Sequence, residues 1–199
     1  MNLIISGATS PLALEIITWA YGKGYNVYTF SRRLSGELTE LIDKQIIRKA
    51  FIADFSEDKQ ILDSVQKLSN CINKIDILIN NSGGPFPKRI LDCEIADYQT
   101  VFDQHFLAVT QLTKFALQSM IARKFGRIIN VLGTSIIEPI PNLTASAVKS
   151  VTANWAKALS KQIAKYNVTI NNVLPGPTNT EELKRIVGIL AKMENVDES

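Results

Sequence analysis

The stretch that decides the fold runs from Leu3 to Ala13 and reads LIISGATSPLA. Its aliphatic start leads into a turn at Ser6-Gly7, and residues 12–21 then carry apolar side chains at helical spacing. Short β-branched runs alternate with longer amphipathic segments along the rest of the chain. This alternation predicts right-handed β-α-β units in one domain over residues 1–199. The expected fold is α/β, a doubly wound parallel sheet of about six strands with helices on both faces.

The alternation of apolar runs and amphipathic segments also predicts approximate ranges for the strands and helices. The predicted strands cover 26–30, 46–53, 75–79, 127–132 and 168–174. The predicted helices cover 12–21, 36–44, a segment capped by Ser56 that runs to 72, a long helix over 97–122, a second long helix over 145–166, and 181–192 capped by Thr180.

Composition excludes several classes of protein. The formal net charge of +3 is too small for a nucleic-acid or membrane-surface footprint. Two cysteines, Cys71 and Cys93, and the single histidine His105 cannot supply a zinc site of ordinary spacing. Because the N-terminus has no basic leader and the chain has no apolar stretch of about 18 residues, we expect a cytoplasmic protein.

The turn after the first strand has the composition of a phosphate-binding loop. In a doubly wound sheet, such a turn directs backbone N–H groups and the positive end of a helix at a phosphate. The residues expected to do this are Gly7, Thr9, Ser10 and Leu12. Pro11 suits the first turn of a helix, although its ring stands where bare backbone would meet a phosphate. The alternative is a turn that only starts a helix.

Further motifs stand at the ends of later strands, where ligands bind in such sheets. They are Asp54-Phe55-Ser56, Asn80-Asn81-Ser82-Gly83, Lys149, and the run from Pro175-Gly176 to Thr180. Together they resemble the short-chain dehydrogenase/reductase family, and in particular a divergent branch similar to 3-oxoacyl-carrier-protein reductases that carries the run NSGGP at 81–85. The resemblance implies a Rossmann-like fold, a dinucleotide cofactor and a small-molecule substrate. It places Asp54, Asn80, Gly83, Lys149, Pro175, Gly176 and Thr180 at the cofactor.

The cofactor preference rests on the residues after the second strand. The family places an acid there for NAD or basic residues for the 2′-phosphate of NADP. Here the sequence is Ser31-Arg32-Arg33, and paired guanidinium groups bind phosphate well. We therefore expect NADP(H) to contact Arg32 and Arg33. The alternative is two solvated surface arginines.

The catalytic positions depart from the family pattern. The resemblance implies Asn, Ser, Tyr and Lys, in which the tyrosine gives a proton to the substrate and the lysine lowers the pKa of the phenol. Lys149 matches, but the tyrosine position holds Ala145, the serine position Gly133 and the asparagine position His105. Histidine ordinarily titrates in a useful range, so His105 and Lys149 are the expected catalytic residues. The alternatives are a histidine packed beside aromatic residues and a solvated helix lysine.

Two more expectations follow from the resemblance. The chain stops before the last strand of typical members, which implies a shortened C-terminus and an open substrate side. The two long helices carry more apolar residues than one sheet face needs, which favours a homodimer formed through them. Three functions stay open: an NADP(H)-dependent oxidoreductase with an altered proton relay; a lyase, isomerase or cyclase that uses His105 and Lys149; and an inactive binding or scaffold protein.

Overall fold

The computed structural model describes residues 1–83, 87–140 and 144–194. Within those ranges, six strands form one parallel sheet in the order β3-β2-β1-β4-β5-β6. The doubly wound fold is thus confirmed. The strands are β1 (Asn2–Ser6), β2 (Asn26–Ser31), β3 (Ile47–Ile52), β4 (Ile77–Asn80), β5 (Gly126–Val131) and β6 (Val168–Val173).

Helices cover both faces of the sheet, and most lie within a few residues of their predicted ranges. Thr180 caps the last one as predicted, accepting a hydrogen bond from the Leu183 N–H over 3.2 Å. The helices are α1 (Pro11–Gly22), α2 (Gly36–Asp43), α3 (Asp58–Ser69), α4 (Ile95–Phe102), α5 (Ala108–Arg123), α6 (Ala145–Ile163) and α7 (Glu181–Glu194).

Two predicted helix boundaries were wrong. Ser56 does not cap α3; its hydroxyl donates to Asp54 Oδ1 over 2.7 Å within a local turn before the helix. Glu57 takes the N-cap position instead. The long helix predicted over 97–122 is interrupted by a π-helical turn at Asp103–Leu107. Such a turn inserts one residue into the helix and often marks a functional site.

The strand alternation divides the core between the two faces. Leu3 and Ile5 pack with Ile17 of α1, whereas Ile4 packs on the other side with Leu112 of α5. All three β1 residues are buried, as expected of a central strand covered by helices on both faces. Because successive side chains of a strand point to opposite faces, this short apolar run packs against the helices on both faces of the sheet.

The chain order reverses at β1. The strands β2 and β3 lie on one side of it and β4, β5 and β6 on the other. In open parallel sheets, ligands bind at such a switch point, beyond the carboxyl ends of the strands. The turns after β1, β2 and β4 therefore meet where a ligand site is expected.

Candidate active site

A cleft of about 280 Å³ lies at the switch point. Two larger grooves run along α6, whereas this cleft is lined by the turns that follow β1 to β4. Its lining includes the first-turn residues Gly7, Thr9, Ser10 and Pro11, the arginines Arg32 and Arg33, the loop residues Ser82 and Gly83, and Gln104 from the π-helical turn.

The first turn has the conformation that its sequence predicts. Gly7 takes φ +60°, which a residue with a side chain adopts only under strain. Ser10 caps α1 by accepting the Ala13 N–H over 3.2 Å, and Pro11 is the first helical residue. The N–H groups of Thr9 and Leu12 have no hydrogen-bond partner within the described chain. The helix start thus keeps free donors beside the cleft, and exposed Pro11 lies at the cleft wall without filling it.

Asn81 holds the first turn in place. Its N–H donates to Ser6 Oγ over 3.0 Å. Its side-chain Nδ2 donates to the Gly7 carbonyl over 3.2 Å and to Ser10 Oγ over 2.9 Å. Sequence reasoning selected Asn80 and missed this contact role of Asn81. The second of two neighbouring asparagines at the end of a strand, opposite a glycine turn, was the available signal.

Asn80 is directed away from that turn. Its Nδ2 donates to Asn130 Oδ1 over 2.9 Å and to Thr113 Oγ1 over 3.2 Å. Asn130 in turn donates to Asn172 Oδ1 over 3.0 Å, which makes an amide ladder across β4, β5 and β6. The ladder occupies both donors of the buried Asn80 amide, so its side chain stabilises the sheet.

Arg32 and Arg33 lie at the cleft with their guanidinium groups available. Both are exposed, and neither forms an ion pair with any described residue. Ser31 fixes the local backbone because its hydroxyl donates to the Arg33 carbonyl over 2.8 Å. Two unpaired guanidinium groups on one wall make this end of the cleft suited to an anion such as phosphate.

The residues that line this cleft do not include six other predicted cofactor residues, which are Leu12, Asp54, Lys149, Pro175, Gly176 and Thr180. Asp54 accepts hydrogen bonds from Ser56 through Oδ1, while its neighbours Ala53 and Phe55 line the cleft. Pro175 accepts the Thr134 N–H over 3.1 Å, which joins the end of β6 to the loop after β5. Gly176 belongs to that β6 loop, and Thr180 caps α7.

His105 lies in the π-helical turn and is almost fully buried, at 1% exposure. Its Nδ1 lies 2.6 Å from Ser82 Oγ, while its Nε2 has no partner among the described residues. Burial, with a smaller contribution from the positive charge of Lys149, lowers the pKa of His105 to about 3. The expectation that His105 titrates near neutral pH was therefore wrong, because the imidazole is buried away from solvent. His105 is neutral at physiological pH.

Lys149 is the other expected catalytic residue, on the second turn of α6. Its side chain forms no ion pair or hydrogen bond with any residue that the structure describes. Burial lowers its pKa to about 8. One turn further along the helix, Thr152 Oγ1 donates to the His105 carbonyl over 2.8 Å, which fixes the π-helical turn against α6. Lys149 and His105 are thereby held on neighbouring elements.

Ala145 and Gly133 stand at the two positions where the resemblance implies a tyrosine and a serine. Ala145 is buried at 3% exposure and packs with Val101 and Val148. Gly133 takes φ +92° at the end of β5. Neither Ala145 nor Gly133 supplies a hydroxyl group at its position.

Neither a membrane span nor a metal cluster was found in the described ranges. None of the helices there is long and apolar enough to cross a membrane. No group of three or more His, Cys, Asp or Glu residues there could hold a metal ion.

Known proteins match the chain over nearly its whole length. A family model described as short chain dehydrogenase matches residues 2–187. The NADPH-dependent reductase BacG of Bacillus subtilis is 31% identical, with 96% of this chain and 76% of that protein covered. The 3-oxoacyl-[acyl-carrier-protein] reductase FabG of Buchnera aphidicola is 28% identical, with coverages of 92% and 75%. The solved structure of YwfH, an NADPH-dependent reductase involved in bacilysin biosynthesis, aligns with a TM-score of 0.86 at 27% identity and covers 96% of this chain and 78% of its own.

Proposed function

The chain belongs to the short chain dehydrogenase family, and we propose that it is an oxidoreductase that uses NADP(H) to reduce a small carbonyl substrate, or to oxidise the matching alcohol. The relatives support the cofactor, since both BacG and YwfH are described as NADPH-dependent reductases. Because these relatives are reductases, they do not favour a lyase, isomerase or scaffold.

The observation that carries the proposal is the pair of unpaired arginines on the cleft wall. Arg32 and Arg33 follow β2, next to the glycine turn after β1, and both line the same cleft as Gly7. A dinucleotide whose pyrophosphate meets the first turn would bring its ribose to the end of β2. An extra phosphate on that ribose would then meet two guanidinium groups, which favours NADP(H) over NAD(H).

Residues of the chain would bind the cofactor and supply the proton for the reduction. The free N–H groups of Thr9 and Leu12 would donate to the pyrophosphate at the start of α1. When bound, NADPH supplies a hydride to the carbonyl carbon. The Lys149 ammonium would hold the ribose hydroxyls, and its lowered pKa lets it release a proton near pH 8. His105 stays neutral, so its imidazole can accept and donate hydrogen bonds without carrying charge.

A nucleotide titration of matched variants tests the proposed cofactor. Arg32→Ala and Arg33→Ala should each weaken NADPH binding about 10- to 100-fold, because a hydrogen bond to a charged group contributes about 1.5–3 kcal/mol. Binding of NADH should change less than about twofold. Lys23→Ala, which removes one exposed positive charge at the other end of α1, should leave both affinities unchanged. Equal loss of NADPH and NADH affinity in the arginine variants would contradict the 2′-phosphate contact.

We also propose that two copies of the chain pair through α5 and α6. A groove of about 780 Å³ runs between these helices and exposes parts of Ile121, Trp155 and Leu159. Partly exposed apolar side chains on two adjacent helices are typical of the centre of a protein interface. Light scattering should give twice the chain mass for the wild type and a monomer for Trp155→Lys. A monomeric wild type would contradict the pairing.

A cytoplasmic location is proposed from the cysteines. Cys71 and Cys93 are free, and Cys71 is exposed. Free exposed thiols suit a reducing compartment, where disulfides are rare. Cell fractionation should recover the protein with cytoplasmic markers, and recovery with membranes or in the medium would contradict this location.

A further inference from the structure

Ser82 and His105 form a side-chain pair that the family pattern does not contain. Ser82 Oγ lies 2.6 Å from His105 Nδ1, a short distance for a hydrogen bond between a hydroxyl and an imidazole. The two residues belong to different elements, the loop after β4 and the π-helical turn after α4. Their contact therefore depends on the fold and not on local sequence.

The pair joins the cleft to the protein interior. Ser82 is partly exposed and lines the cleft, as does Gln104, the neighbour of His105. The His105 side chain is buried next to Ser82. The hydrogen bond from Thr152 fixes the π-helical turn against α6. Topology places Ser82 across the β1 turn from Arg32, since β4 and β2 flank β1. A dinucleotide anchored by Arg32 would thus extend towards Ser82.

The unpartnered Nε2 of His105 indicates which ring nitrogen carries the proton. This buried nitrogen has no hydrogen-bond partner among the described residues. Lys149 lies close enough for its positive charge to disfavour protonation of the ring. A buried N–H without an acceptor is rarer in folded proteins than an acceptor without a donor, which favours a lone pair on the unpartnered Nε2 and places the single ring proton on Nδ1. In that tautomer His105 donates to Ser82, and the Ser82 hydroxyl proton is free to point into the cleft.

We propose that Ser82 is the proton donor to the substrate carbonyl and that His105 supplies Ser82 with its replacement proton. The proposal rests on the proposed reductase function and names the group that does the work of the missing phenol. As the hydride adds to the carbonyl carbon, the C=O π electrons move to oxygen, and that oxygen takes the proton from Ser82 Oγ. The Nδ1 proton of His105 moves to Ser82 Oγ, and a water that bridges Nε2 and the Lys149 ammonium gives a proton to Nε2 and takes one from Lys149. After the alcohol leaves, a proton from cleft water passes back through Ser82 and His105 to the neutral Lys149 amine, which restores both the ammonium and the Nδ1 tautomer. The carbonyl is reduced to an alcohol, and NADPH is oxidised to NADP⁺.

A serine hydroxyl can do this because it need not ionise before the reaction. Its proton moves onto an oxygen that becomes an alkoxide of similar basicity, while the imidazole returns a proton in the same direction. The source of the net proton is the ammonium group with the lowered pKa, not the hydroxyl. A positioned proton donor contributes about 10²–10⁴-fold to the rate.

The first test needs no substrate. The chain has one histidine, so ¹⁵N-histidine labelling gives a single imidazole in the NMR spectrum. At pH 7 we expect a neutral ring with the proton on Nδ1, and Ser82→Ala should shift the Nδ1 resonance while NADPH affinity changes less than twofold. A ring protonated on Nε2 would overturn the proposal, because Ser82 would then point its proton at the imidazole.

The second test measures turnover with diacetyl and ethyl acetoacetate as carbonyl probes. Ser82→Ala should lower kcat at least 100-fold with little change in NADPH affinity, and Ser82→Thr, which keeps a hydroxyl, should retain kcat within about tenfold. Ser135→Ala removes a rival hydroxyl beyond the end of β5 and should leave kcat unchanged. A normal kcat in Ser82→Ala, a loss in Ser135→Ala instead, or a wild type that binds NADPH and reduces neither probe would overturn the proposal. Failure of the wild type to bind NADPH would contradict the proposed function itself, whatever tautomer the NMR shows.

Discussion

Asn81 donates from Nδ2 to the carbonyl oxygen of Gly7 over 3.2 Å, and this bond joins the loop after β4 to the turn after β1. The two segments are 74 residues apart in sequence. They approach so closely that a Cβ atom on Gly7 would collide with the Asn81 backbone oxygen. The cleft wall is therefore built around the lack of a side chain at one position.

Gly7→Ala should destabilise the protein and abolish nucleotide binding. The positive φ alone strains an alanine by about 1–3 kcal/mol, and the collision with Asn81 adds to it. Gly24→Ala is a matched control, since Gly24 also has a positive φ, of +76°, but its Cβ would meet open space. Urea unfolding should show a clearly larger loss for Gly7→Ala. Equal losses in the two variants would mean that the close approach to Asn81 has no energetic weight.

Ala145→Tyr should destabilise the protein and should not raise carbonyl reduction. Ala145 is buried against Val101 and Val148. A phenol forced into that packing should cost about 1–3 kcal/mol of stability. Ala147→Tyr, at an exposed position on the same helix, should change stability by less than about 0.5 kcal/mol. A stable, more active Ala145→Tyr variant would contradict this reading of the pocket.

The stability of the protein should depend on His105 in acid. Its pKa is lowered from an ordinary value of 6.5 to about 3 in the folded state, so between these values the unfolded chain binds one more proton. Stability from this group is complete above pH 6.5 and is lost as the pH falls towards 3. The slope is about 1.4 kcal/mol per pH unit. Unfolding of the wild type and His105→Asn from pH 4 to 7.5 should show this difference, and parallel curves would contradict a buried neutral histidine.

Lys149→Met should weaken NADPH binding without unfolding the protein. The substitution removes a contact to the ribose, which should lower affinity about 10- to 100-fold if the contact is a charged hydrogen bond. It also removes a charge whose burial is unfavourable, as the lowered pKa shows, so stability at pH 7 should not fall. Calorimetric titration and thermal unfolding separate the two effects. Unchanged affinity for NADPH would remove Lys149 from the cofactor site.

Much of the fold was predictable because its signals are local. The uninterrupted aliphatic run around Ile4 and the Thr180 cap are read directly from the sequence, whereas the Ser10 cap was not predicted. The Ser56 cap failed because the chain makes a local turn there, in which Asp54 accepts from the Ser56 N–H and hydroxyl, and Glu57 takes the N-cap position of α3. The π-helical turn had no signal of its own, since Asp103–Leu107 contains neither glycine nor proline.

The site was predictable only in part, because its contacts join distant segments. Gly7, Arg32 and Gly83 line one cleft, as expected from strand ends that meet at the switch point. The amide of Asn80 bonds to Asn130 because the pairing register of β4 and β5 places the two residues opposite each other. The approach of Ser82 to His105 depends on the π-helical turn that contains the histidine. The sequence pattern of one chain shows neither the strand register nor the position of the π-helical turn.

The proposed NADPH site is tested most directly by a calorimetric titration of the wild-type protein with NADPH and with NADH at equal ionic strength. We expect one nucleotide to bind per chain, and NADPH to bind at least tenfold more tightly because its extra phosphate meets Arg32 and Arg33. Failure of both nucleotides to bind, or tighter binding of NADH, would contradict it.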